Sequence, residues 1–94
     1  TDYLPVTGDV TLIANGDNAI LYNTVKVADG GKLTLRGNAN IFAVIAEPGS
    51  RLTAEEATRI AYLTVNGGDV KLSGGQYDNI TVKDGKITDI LGNG

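Results

Sequence analysis

At 94 residues and a net charge of −3, the chain is bounded to one small domain, 1–94, and its 41% apolar share is enough for a packed core. Histidine and cysteine are both absent, which removes imidazole bases, thiolate metal sites, cysteine nucleophiles and disulfides. The eight basic residues are scattered and form no stripe for nucleic acid, and no apolar run approaches the roughly 18 residues of a membrane span.

In chain order, the first organised segment is Val6-Thr7-Gly8-Asp9-Val10-Thr11-Leu12: an aliphatic residue, a turn, then a strand of alternating character. The same order returns four times. The turns are Asp29-Gly30-Gly31-Lys32, Pro48-Gly49-Ser50-Arg51, Asn66-Gly67-Gly68-Asp69 and Asp84-Gly85-Lys86. The strands that follow are Leu33-Thr34-Leu35, Leu52-Thr53-Ala54, Val70-Lys71-Leu72 and Ile87-Thr88-Asp89. Leu33 to Leu52 is 19 positions, Leu52 to Val70 is 18 and Val70 to Ile87 is 17. Each turn is preceded by an aliphatic residue: Val27, Ile45, Val65 and Val82. A second corner follows the strand at Asn15-Gly16-Asp17, Arg36-Gly37-Asn38 and Gly74-Gly75.

A repeat of this length signals a coiled stack in which each unit buries its apolar face against its neighbours. The pattern predicts an all-β fold, a short right-handed parallel β-helix (β-solenoid) of about five rungs with a repeat of about 18–19 residues. Two further inward columns are predicted. One runs through Ile20, Ile41, Ile60 and Ile80, the other through Val25, Val44 and Leu63 with Ile80 or Val82 next. Plain β-hairpins joined by Asn-Gly turns explain the turns but not their repeated order.

The third rung departs from the pattern. Residues 53–62 lack the second glycine corner, and Thr53 with Glu56 forms a capping box ahead of helix formers. A short helix at 53–62 set into the rung satisfies both local propensity and register. A helix packed on an antiparallel sheet, in a small intracellular α+β domain, is the competing architecture.

No catalytic, cofactor or metal residues are expected. Asp9, Asp17, Asp29, Asp69, Asp78 and Asp84 sit at corners, where acidic residues serve turns. The segment 74–80 lacks the glycine spacing of a calcium-binding repeat. Glu55 and Glu56 are adjacent, so their side chains diverge and do not flank one glycosidic bond. The remaining candidate is a ladder of outward residues at Thr11, Thr34, Thr53, Lys71 and Thr88. Such a ladder offers a flat side for another molecule. The next outward positions, Ile13, Arg36, Glu55, Ser73 and Ile90, are mixed.

Two segments carry a resemblance. One is Thr24-Val25-Lys26-Val27-Ala28-Asp29-Gly30-Gly31-Lys32-Leu33-Thr34-Leu35-Arg36-Gly37-Asn38-Ala39, the other Leu63-Thr64-Val65-Asn66-Gly67-Gly68-Asp69-Val70-Lys71-Leu72-Ser73-Gly74-Gly75. Both resemble the passenger repeats of AIDA-type self-associating autotransporter adhesins. The resemblance covers roughly 24–42 and 63–88. It implies a structural or adhesive module, extracellular or on a bacterial cell surface, acting as stalk or self-association surface. The implied partners are like chains or a cell-surface ligand, without a cofactor or enzymatic activity. The chain reads as a piece of a longer one. The alternative is a carbohydrate-binding or accessory module of a secreted enzyme, for which Tyr3, Tyr22, Tyr62 and Tyr77 are the candidate aromatics, some of them inward.

Overall fold

The computed structural model describes residues 3–14, 23–55, 58–73 and 75–91. They form strands β1 (Tyr3–Val6), β2 (Asp9–Ala14), β3 (Thr24–Val27), β4 (Lys32–Gly37), β5 (Asn40–Ala46), β6 (Arg51–Ala54), β7 (Arg59–Ser73) and β8 (Gln76–Leu91). Every pairing among them is parallel. Parallel pairing between segments so close in sequence requires the chain to travel round and return on itself, one level higher each time. The protein is therefore a β-solenoid of about four turns.

The coil has three sides. The first stacks β1, β3, residues 43–46 of β5, 62–65 of β7 and 79–82 of β8. The second stacks β2, β4, β6, then 69–73 of β7 and 86–91 of β8. The third is short: 40–41 of β5, 59–60 of β7 and 76–77 of β8. Four rises of about 4.8 Å give about 19 Å. With principal extents of 32 × 26 × 18 Å, the coil is no taller than it is wide.

Alternation along each side sends one set of side chains into the lumen. The column Val10–Leu33–Leu52–Val70–Ile87 is in register, as the turn spacing predicts. The column ahead of the first corner is Val6–Val27–Ala46–Val65–Val82, so Ala46, and not Ile45, holds the inward place. Ile45 lies in register with Lys26 and Thr64 and is only half-buried. The next column is Leu4–Val25–Val44–Leu63–Ile80, which settles the place of Ile80. The column assigned to Ile41, Ile60 and Ile80 is Ile41–Ile60–Tyr77 instead. Ile20 and the corner at 15–17 lie outside the described residues, as do Glu56 and Gly74. Leu33, Leu35, Ile41, Leu52, Ile60, Leu63 and Leu72 are all at most 1% exposed. Burying each contributes about 1.5–3 kcal/mol, so the aliphatic column is the main source of stability.

No helix occurs in the described residues, and the helix expected at 53–62 is not formed. Thr53 and Ala54 end β6, and Arg59 opens β7. The Glu55 amide donates to Leu35 O on the rung below (3.0 Å), and the Arg59 amide to Ala39 O (2.8 Å). A helix here would strand these rung-to-rung bonds and lift Ala54 and Ile60, both fully buried, out of their columns. Tertiary pairing outweighs the capping box. Thr58 occupies the rung position of Ala39: it is fully buried and its Oγ1 donates to Leu35 O (3.5 Å).

The first corner stacks backbone on backbone. Gly30, Gly49, Gly67 and Gly85 repeat a left-handed conformation, with φ of 79°, 80°, 95° and 90°. At Gly85 a Cβ would also stand 2.7 Å from Gly68 O, a backbone atom with no room to yield. Beside this column Ser50 is buried between rungs, and a Cβ added to Gly68 would collide with its Oγ.

Candidate interaction surface

The second side carries the outward ladder. Thr11 of β2, Thr34 of β4, Thr53 of β6, Lys71 of β7 and Thr88 of β8 are consecutive ladder partners. The structure thus brings all of them onto one line at rung spacing. Thr11 and Lys71 are exposed, whereas Thr34 and Thr53 are half-buried between neighbouring side chains.

Charge borders the ladder on both flanks. On one side runs the register column Asp9–Lys32–Arg51–Asp69–Lys86. On the other, Arg36 meets Glu55 at 3.3 Å, with the two side chains 55% and 44% exposed. Exposed pairs of this kind contribute at most about 1 kcal/mol. Their larger effect is on which surfaces the face accepts. The flank is interrupted at the top, where a register shift places Leu91, and not Ile90, opposite Ser73.

At the first corner, Lys26 Nζ approaches Glu47 Oε2 (3.8 Å), and Asn66 Nδ2 donates to Glu47 Oε1 (3.2 Å). With Ala28, Asp29, Pro48 and Gly49, Lys26 and Glu47 line a shallow open depression of about 450 Å³. No nucleophile paired with a base lies there. Among the described residues no group of three or more acidic side chains converges as a metal site. Nor is any helix long and apolar enough to cross a membrane.

The aromatic residues divide. Tyr77 points inward at 4% exposure, and burial pushes its phenol up to about 12. Tyr3 and Tyr62 point outward, 53% and 48% exposed. Tyr22 lies outside the described residues. The sequence reading missed Phe42, which is 51% exposed and packs on Tyr62 with ring centroids 5.1 Å apart at 59°. The two residues are 20 apart, one more than the local repeat of 19, which marks diagonal neighbours on adjacent rungs. No protein-family model, curated protein or solved structure matches the chain.

Proposed function

We propose that the chain is a structural and adhesive β-solenoid module of a bacterial surface or secreted protein, serving as a stalk segment or a self-association surface. The observation that carries this reading is the outward ladder Thr11–Thr34–Thr53–Lys71–Thr88, held in register on a stack of rungs. Function here is shape: a surface whose side chains are fixed by a rigid core and repeat at one spacing. A second copy presents the same spacing. Threonine hydroxyls both donate and accept, and the flanking column carries both signs of charge, so two such faces can complement one another.

Molar mass by light scattering across a wide concentration range tests the reading. The wild-type chain is expected to associate with rising concentration. The double variant Thr34→Lys/Thr53→Lys places like charges along the face and is expected to remain monomeric with an unchanged melting temperature. Association that persists in the double variant removes the ladder from this role.

A further inference from the structure

The third corner, between the short side and the first side, holds a feature that neither the core nor the threonine ladder accounts for. Its outward positions are Phe42 and Ala43 on one rung, Ala61 and Tyr62 on the next, and Asp78 and Asn79 above. Single exposed apolar residues are ordinary on a protein surface. Phe42 and Tyr62 differ because the rings touch one another while about half of each stays in water. They make one continuous aromatic surface, and Phe42 has no polar atom with which to satisfy solvent.

The corner is also notched. Flanking ladder pairs place Ala61 between Phe42 below and Asp78 above. Alanine ends at Cβ, so at that level the surface steps inward beside the two rings. Polar groups border the step. Arg59 Nη2 donates to Asp78 Oδ2 at 3.2 Å, which sets a guanidinium and a carboxylate at the corner with no net charge between them. Asn79 is the ladder partner of Tyr62 and adds a carboxamide, both donor and acceptor. All these residues stand on paired strands, so the arrangement exists before any ligand arrives and little ordering is lost on binding.

We propose that this corner binds a neutral glycan, with one pyranose stacked on the Phe42–Tyr62 surface and its hydroxyls reaching Arg59, Asp78 and Asn79. A pyranose with equatorial hydroxyls has apolar C–H faces and a polar rim, which matches an aromatic platform bordered by mixed donors and acceptors. A nucleic acid would stack as well, but its phosphates need cations, and here Arg59 is already paired with Asp78 on a chain of net charge −3. The site is separate from the threonine ladder, so the two proposals stand or fall independently.

The test is a titration of ¹⁵N-labelled protein with cellohexaose and, in parallel, chitohexaose, read by amide chemical shifts. Perturbations are expected to centre on residues 42–43, 61–62 and 78–79. Phe42→Ala/Tyr62→Ala is expected to weaken binding about tenfold or more while melting stays near wild type. Ala61→Leu fills the notch, keeps both rings and is also expected to weaken binding. Absence of perturbation by either sugar on the millimolar scale overturns the proposal, as does full binding by the double aromatic variant. Loss of self-association in that variant, without sugar binding by the wild type, would also overturn it and identify the rings as a protein contact.

Discussion

Leu63 and Val65 on β7 are 1% and 0% exposed; their ladder partners on β8, Ile80 and Val82, are 38% and 50% exposed. The residues have the same chemistry, the same columns and the same inward direction, one rung apart. Burial in this fold is given by the next rung and not by the side chain's own character. Tyr77, also on β8, is only 4% exposed. Its ring stacks over Ile60 with its hydroxyl end against the Gly75 corner, so this column has cover at the β8 level that Ile80 and Val82 lack.

The strongest way to break that comparison is truncation in the middle and at the end of one column. Leu63→Ala is expected to lose about 2–5 kcal/mol in denaturant unfolding, because rungs on both sides prevent the cavity from collapsing. Ile80→Ala, in the same column, is expected to lose about 1 kcal/mol or less. Equal losses would mean that the rungs do not bury one another in the way described.

The packing between rungs can be sharpened at the first corner. Gly68→Ala drives a Cβ into Ser50 Oγ and to 3.1 Å from both Ala46 Cβ and Glu47 O. The expected loss is about 1–3 kcal/mol. Ser50 Oγ is buried without a hydrogen-bond partner. Ser50→Ala is therefore expected to be neutral or to stabilise by up to about 1 kcal/mol, and a large loss would reveal a bond to that hydroxyl.

The smallest effect near neutral pH concerns Tyr77. In the unfolded chain a tyrosine ionises near 10, whereas the folded phenol is held up to about 12 by burial. As pH rises between these values the unfolded state loses its proton first, so stability falls across that window and is unaffected by this group below it. Tyr77→Phe is expected to flatten the decline of stability with pH above 10. An unchanged slope would place the hydroxyl in water.

Much of the architecture was legible because turn chemistry and alternation coincide. Glycine-bearing corners mark the positions just ahead of Leu33, Leu52, Val70 and Ile87, and those four are in register. Failures came where local signals are degenerate. The run Ile41-Phe42-Ala43-Val44-Ile45-Ala46 is apolar throughout, so hydrophobicity alone could not choose between Ile45 and Ala46. Some of the tyrosines are expected inward, but composition does not say which, and the aliphatic column through Ile41 and Ile60 is continued to Ile80 and not to Tyr77. The constant step of three from Ile41 to Val44 and from Ile60 to Leu63 pointed to Tyr77 ahead of Ile80. The helix expected at 53–62 failed because propensity sees only neighbours, whereas Leu35 O receives its bonds from about 20 residues away. The threonine ladder was legible from spacing alone. The Phe42–Tyr62 pair was not, because it depends on how the third corner turns.

The corners also differ in how strictly their length is kept. From the last inward residue of the first side to the first of the second side the steps are 4, 6, 6 and 5 residues (6→10, 27→33, 46→52, 65→70). At the third corner they are 3, 3 and 3 (41→44, 60→63, 77→80). A gene encoding such a coil can gain or lose a codon at the first corner while the core stays aligned. The third corner allows no such drift, and a designer grafting new loops onto this scaffold would place them at the former and leave the latter untouched.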